Sequence, residues 1–322
     1  MMLDLTECIG DNSRVVGMIH KNYILENDHG RFLVKPKLRN AVENIYTYLL
    51  SRNFSFLPEL VRVKHINHEP YYVYQYIKEV PTPHEQKITD LVLTLADLHH
   101  KTMFYKEIDL AEYKKTYENI IHELNYLEYY YRDILTIIES KVFMSPSEYK
   151  LASNATLIFN SIQRSKINIQ AWYDLIEGNR RQRQSMIHNN VHLDHFLKGD
   201  QYYLVSWDHS MISIPIIDLY QLYRNHYFDY DFLSLIEVYE ASFELKPEEK
   251  ILFITLISIP EKIVWDTTEY EMTIRIRKFC DYLQKTKDLI TAYNPPNEEN
   301  HETKLHENDK NQQSQGQEES ED

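Results

Sequence analysis

The sequence predicts an α+β protein of two lobes, a small antiparallel β-rich one followed by a larger helical one. Three observations carry this expectation. Short β-prone runs separated by turn signals fill the first third, helical periodicities fill most of the rest, and a small hairpin signal at 185–208 interrupts the helices. The expected boundaries are 1–80 for the β-rich lobe, 81–293 for the helical lobe and 294–322 for a disordered acidic tail.

Arg14 to His20, Asn22 to Glu26 and Arg31 to Lys35 read as strands, and Asn27-Asp28-His29-Gly30 between the last two is a hairpin turn signal. Leu38, Val42, Ile45 and Leu49 recur at helical spacing, so an amphipathic helix follows over Leu38 to Leu50. Leu60 to Ile66 and Tyr71 to Ile77 flank Asn67-His68-Glu69-Pro70 and form a second hairpin. Leu91, Leu95 and Leu98 then share one face of a helix over Ile88 to His100, and Tyr113 to Ile138 continues as a long helix rich in Tyr and Leu. Ser145-Pro146 resembles an N-cap with proline at the first helical position, opening a helix to Ser165. Within 185–205 the runs MIH and YYLVSW read as two short strands around the turn Lys198-Gly199-Asp200. Helical patterns return over Ile217 to Tyr239 and Lys246 to Thr291.

Composition narrows the function classes. A net charge of −14 argues against general nucleic-acid binding, which draws on clustered Lys and Arg. About half of that charge lies beyond residue 293, in a segment with one sizeable apolar residue, Leu305, which cannot repay its ordering entropy. The longest apolar run, Ile251 to Ile259, is far short of the roughly 20 residues that a membrane span needs. The N-terminus lacks the basic and apolar regions of a signal peptide, and Cys8 and Cys280 are the only cysteines, so a reducing cytoplasmic setting is expected. With six glycines in the chain, a glycine-rich phosphate loop has little material, although Gly17 follows Val15 and Val16.

The chemistry concentrates in His188-Asn189-Asn190-Val191-His192-Leu193-Asp194-His195 and, beyond the hairpin, Trp207-Asp208. This register resembles the catalytic loop His-Gly-Asp-x-x-x-x-Asn and the following metal-binding Asp of the aminoglycoside phosphotransferase and choline kinase class. The resemblance implies a two-lobed protein-kinase-like fold covering nearly the whole chain apart from the tail. It implies His188 as the loop histidine, Asn190 at the position of the catalytic base, and His195 and Asp208 as metal-site residues. Asp218 would brace the loop, and Leu95-Ala96-Asp97-Leu98-His99 resembles the helix that precedes it in these kinases. It further implies Lys35 as the nucleotide-phosphate lysine, Glu43 as its ion-pair partner, and ATP with Mg²⁺ as cofactors. Among branches of the class, Trp207 to Leu219, Leu245 to Glu249 and Ile251 to Pro260 are most similar to the spore-coat-associated kinase-like proteins of bacilli.

The departures from the pattern steer the functional expectation. Asn190 cannot accept a hydroxyl proton as a carboxylate does, which forfeits roughly 10²–10⁴-fold of general-base help. His195 replaces an amide with a nitrogen ligand that Mg²⁺ disfavours. The first expectation is therefore a pseudokinase acting as a binding or assembly protein, cytoplasmic or deposited on the spore coat with other coat proteins as partners. The alternative is an ATP-dependent phosphotransferase acting on a hydroxyl of a small-molecule acceptor. A third reading is a nucleotide-binding switch.

Several features have plainer explanations. His188, His192, His195 and His209 invite a zinc reading, yet no cysteine is near and hydrogen-bonded or solvated roles account for them. Asp194 is a candidate displaced base whose side chain the register turns elsewhere. Asp208 is equally readable as a structural cap and Lys35 as a surface lysine. Tyr126, Tyr129, Tyr130 and Tyr131 have the spacing of helix packing, and Arg180, Arg181 and Arg183 that of a solvated loop.

Overall fold

The computed structural model describes residues 9–10, 13–19, 22–37, 42–66 and 69–293. The expected acidic tail, the start of the first helix at Leu38 and the turn residues Asn67 and His68 lie outside them.

The chain opens with β1 (Arg14–Ile19), β2 (Asn22–Asn27) and β3 (Gly30–Pro36), followed by α1 (Val42–Ser51), β4 (Leu60–Ile66) and β5 (Glu69–Gln75). These strands form one antiparallel sheet in the order β1-β2-β3-β5-β4. The expected turn forms: Asn27 pairs with Gly30, the Asn27 side chain accepts from the His29 N–H at 2.8 Å, and Gly30 takes φ 132°, which its missing Cβ permits. On β3, Phe32 and Val34 face a small cluster with Leu25, Tyr71 and Val73. Strand alternation sends Leu33 and Lys35 the other way, into a cleft.

The second part runs α2 (His84–Thr102), β6 (Phe104–Glu107), α3 (Leu110–Glu139), α4 (Pro146–Ser153), α5 (Ala155–Gly178) and β7 (Arg181–Ile187). It continues through β8 (Phe196–Lys198), β9 (Tyr202–Leu204), β10 (Met211–Ser213), α6 (Ile216–His226), α7 (Phe232–Ser242), α8 (Pro247–Ser258) and α9 (Glu269–Tyr293). Leu91, Leu95 and Leu98 of α2 are fully buried, each worth about 2 kcal/mol of transfer free energy. α5 packs against α3 and α8, α2 against α7, and α4 against α9. One continuous apolar core joins Tyr46 and Leu49 of α1 and Tyr72 and Tyr74 of β5 to these helices. Among the described residues, no helix is long and apolar enough to cross a membrane.

Three local expectations are corrected. The helix expected from Pro146 to Ser165 breaks at Asn154. Ser145 forms the expected N-cap and Glu148 completes a capping box with it, but Asn154 leaves helical geometry and its side chain donates to the Lys150 carbonyl at 2.8 Å. The MIH run is not half of the small hairpin; it belongs to β7, which lies between β6 and β10, while Phe196–Lys198 pairs with Tyr202–Leu204 around Gly199. Arg183 is not on a solvated loop but buried in β7, where its guanidinium meets Glu249 and the Phe243 ring. Of the tyrosine run on α3, Tyr131 packs inside and Tyr129 is exposed.

Candidate functional site

A cleft of about 810 Å³ opens between the five-stranded sheet and the helical part. Leu33, Lys35, Tyr46 and Tyr74 line it from the sheet side, Tyr76, Ile77 and Glu79 from the linker into α2, and Asn190, His195, Ser206 and Trp207 from the opposite wall. The linker is held at both ends, because Tyr76 N–H donates to the Arg31 carbonyl at 3.0 Å and Val80 N–H to the Lys198 carbonyl at 2.7 Å. Gly199 permits this approach: a Cβ there would stand 3.1 Å from Ile77 Cγ2 and 3.3 Å from the Tyr203 ring.

The loop after β7 is fixed from beneath by Asp218 on α6. This fully buried carboxylate accepts from the backbone N–H groups of His188 at 2.7 Å and Asn189 at 2.8 Å. It also accepts from His99 Nε2 at 3.1 Å, whose Nδ1 in turn accepts from the Tyr239 hydroxyl at 2.6 Å. Burial first, with nearby acids adding, holds the Tyr239 phenol well above its ordinary range, so it remains a donor. Asp218 thus braces the loop, as the sequence resemblance implies, and the structure adds His99 of α2 as its partner.

Gln221 and Asn225, three and seven residues beyond Asp218, extend this brace. Gln221 accepts from Val191 N–H at 3.1 Å and donates to Asn189 Oδ1 at 2.7 Å, and Asn225 donates to the Val191 carbonyl at 2.8 Å. Sequence reasoning missed both, because Arg224 and His226 also interrupt the apolar pattern of α6 and the shared face of Asp218, Gln221 and Asn225 at i, i+3, i+7 does not stand out. Asn189 adopts φ 55°, where the loop pattern of the resembling class has glycine, and asparagine is among the residues that tolerate that region.

His188 lies under the loop, not in the cleft. It is fully buried against Trp207, with ring centroids 4.9 Å apart, and Nε2–H donates to the Val205 carbonyl at 2.7 Å. Burial pulls its pKa down to about 4. Between pH 6.5 and about 4 the unfolded chain therefore binds a proton that the folded chain refuses, and stability falls as pH drops through that window. The loss from this residue approaches about 3 kcal/mol at the acid end. Denaturant unfolding at a series of pH values should show it, and His188→Gln should flatten the slope; an unchanged slope would place the acid sensitivity elsewhere.

Asn190 and His195 share the opposite wall. His195 Nδ1–H donates to the Asn190 carbonyl at 2.8 Å, and burial lowers the His195 pKa, so in its neutral form Nε2 carries a lone pair. Asp208, buried on the turn after Ser206, forms an ion pair with Lys35, which lies 173 residues earlier in the chain. Glu43 does not pair with Lys35. The first turn of α1 sits beside the end of β3, so Glu43 meets Lys37 at 2.7 Å and accepts from the Tyr72 hydroxyl at 2.6 Å. Burial opposes the Glu43 charge, but these two hydrogen bonds outweigh it and the pKa is lowered.

Asp194 lies on the rim of the cleft rather than turned away from it, 3.3 Å from His192 and largely exposed. His209 is exposed, and among the described residues no three His, Cys, Asp or Glu side chains converge as a metal site. The chemistry of the donors suits Mg²⁺ poorly: it seeks six oxygens, whereas Asp208 brings one carboxylate already engaged by Lys35 and His195 brings nitrogen. What the arrangement offers is a cation, a cleft and a linker backbone along one edge of it, with an amide, Asn190, where the resembling loop pattern has a carboxylate.

No protein-family model matches the chain, and a search of curated proteins found no match. Solved structures do resemble it. An aminoglycoside phosphotransferase from Alicyclobacillus acidocaldarius superposes with a TM-score of 0.59 at 11% identity, over 88% of this chain and 91% of that one. A spectinomycin phosphotransferase in complex with ADP and spectinomycin gives 0.49 at 11% identity, over 85% and 93% of the two chains. A choline/ethanolamine kinase family protein from Mesorhizobium loti gives 0.42 at 13% identity, over 89% and 90%. The fold assignment rests on the first of these together with the element order above: this chain has the two-lobed protein-kinase-like fold of the aminoglycoside phosphotransferase class.

Proposed function

We propose that this chain is a nucleotide-binding pseudokinase that holds ATP in the cleft without transferring its phosphate. The observation that carries this reading is the ion pair between Lys35 on the cleft wall and the buried Asp208, together with Asn190 on the same cleft, where a kinase needs its base. Lys35 is the cation for the phosphates, and the 76–79 linker is the edge on which the base would lie. Because the donors suit Mg²⁺ poorly, Asp208 acts as a competitor of the phosphates for Lys35 rather than as a metal ligand, and binding does not require metal. The biological role is then one of binding. The similarity of Trp207 to Leu219 and Ile251 to Pro260 to spore-coat-associated proteins supports coat proteins as its partners.

The competing reading, phosphotransfer to a hydroxyl of a small metabolite, is supported by the fold alone. Asn190→Asp separates the two. Here that variant should leave ATP turnover at background, because the metal donors remain unsuitable. An increase of about 10²–10⁴-fold in ADP release with any hydroxyl acceptor would instead show that one missing base was the sole lesion.

A further inference from the structure

A second cavity, of about 280 Å³, lies far along the chain from the cleft residues, between the start of α5, the end of α8 and one face of α9. Its lining contains two ionisable residues, Arg164 and Lys287, and no Asp or Glu. In a chain of net charge −14, a cavity with charges of one sign, and that sign positive, runs against the composition. Neither cation forms an ion pair or side-chain hydrogen bond among the described residues. Asp288, next to Lys287 on α9, accepts from Gln284 at 2.8 Å instead.

The remaining wall supplies donors. The cavity includes the first turn of the 24-residue α5, and the N-cap Asn154 does not cap that turn with its side chain. The positive end of the helix dipole is therefore presented there without a carboxylate to neutralise it. Asn160 adds an amide. Ser258, 1% exposed, stands at the wall with a buried Oγ that has no hydrogen-bond partner. A buried hydroxyl without a partner is costly unless something else satisfies it. Arg164 and Lys287 differ by 123 positions, so only the fold brings them together.

We infer that this cavity is a binding site for a small oxyanion, a phosphate group either free or as the monoester of a small metabolite, held by Arg164 and Lys287 over the start of α5. Guanidinium and ammonium together match a dianionic phosphate, with the guanidinium donating two parallel hydrogen bonds. The site shares no residue with the cleft and does not depend on the nucleotide reading.

The test is calorimetric titration of the full chain with inorganic phosphate and with glycerol 3-phosphate at constant ionic strength. It is run on wild type, on Arg164→Gln/Lys287→Gln and, to remove the cleft cation, on Lys35→Met. Saturable binding that survives Lys35→Met and weakens at least about tenfold in the double variant supports the site. Equal affinity for both probes then points to free phosphate and tighter binding of the ester to a metabolite. No saturable binding of either probe, or binding that the double variant leaves unchanged, overturns it.

Discussion

Asp218→Ala is expected to destabilise the protein by about 4 kcal/mol and to release the loop after β7. The variant removes one carboxylate that serves three donors, the backbone N–H groups of His188 and Asn189 and the His99 ring. Each buried donor left without an acceptor costs about 1–3 kcal/mol, less where water enters. Asp218→Asn should not rescue it, because an amide turns an N–H₂ toward at least one of those donors. Thermal unfolding would report the loss, and amide hydrogen exchange at residues 188 and 189 would rise while that of α3 stays protected. Undisturbed exchange at the loop would show that the contacts to Gln221 and Asn225 hold it alone.

Arg183→Met should cost about 3–5 kcal/mol, because it leaves the Glu249 carboxylate, 1% exposed, without its cation. Arg183 donates from Nε to Glu249 at 3.0 Å and from its terminal nitrogen to the Glu244 carbonyl at 2.8 Å, with the guanidinium 3.9 Å from the Phe243 ring centroid. Glu249 also caps the start of α8 by accepting from the Lys246 N–H at 3.0 Å. The informative comparison is the double variant Arg183→Met/Glu249→Gln, which keeps the capping oxygen and removes the stranded charge. It should recover a large part of the loss, giving a coupling of about 1–3 kcal/mol in a double-mutant cycle. Strictly additive costs would mean that the two residues act separately.

The architecture was legible because its signals are local. The Asn27 to Gly30 turn, the leucine spacing of α2 and the Ser145-Pro146 N-cap of α4 each act over a few residues, and each appears where expected. Long-range pairing was not legible. Arg183 read as solvated because it follows Arg180 and Arg181 in a polar stretch, while its partner Glu249 is 66 residues away. Glu43 was matched to Lys35 by the family pattern, but the short path from β3 into α1 leaves it beside Lys37. The loop register was legible from motif spacing, and the brace beneath it through Asp218 and His99 was legible in part. Gln221 and Asn225 were not, since two amides on a helix face carry no signature until the loop they hold is in view.

The most direct test of the nucleotide reading is calorimetric titration of the chain with ATP in the presence of EDTA, repeated with Mg²⁺, for wild type, Lys35→Met and Asp208→Asn. The account predicts saturable binding without metal, loss of binding in Lys35→Met, and tighter binding in Asp208→Asn, where the carboxylate no longer competes for Lys35. Binding that requires Mg²⁺ and disappears in Asp208→Asn would contradict it and assign Asp208 to a working metal site.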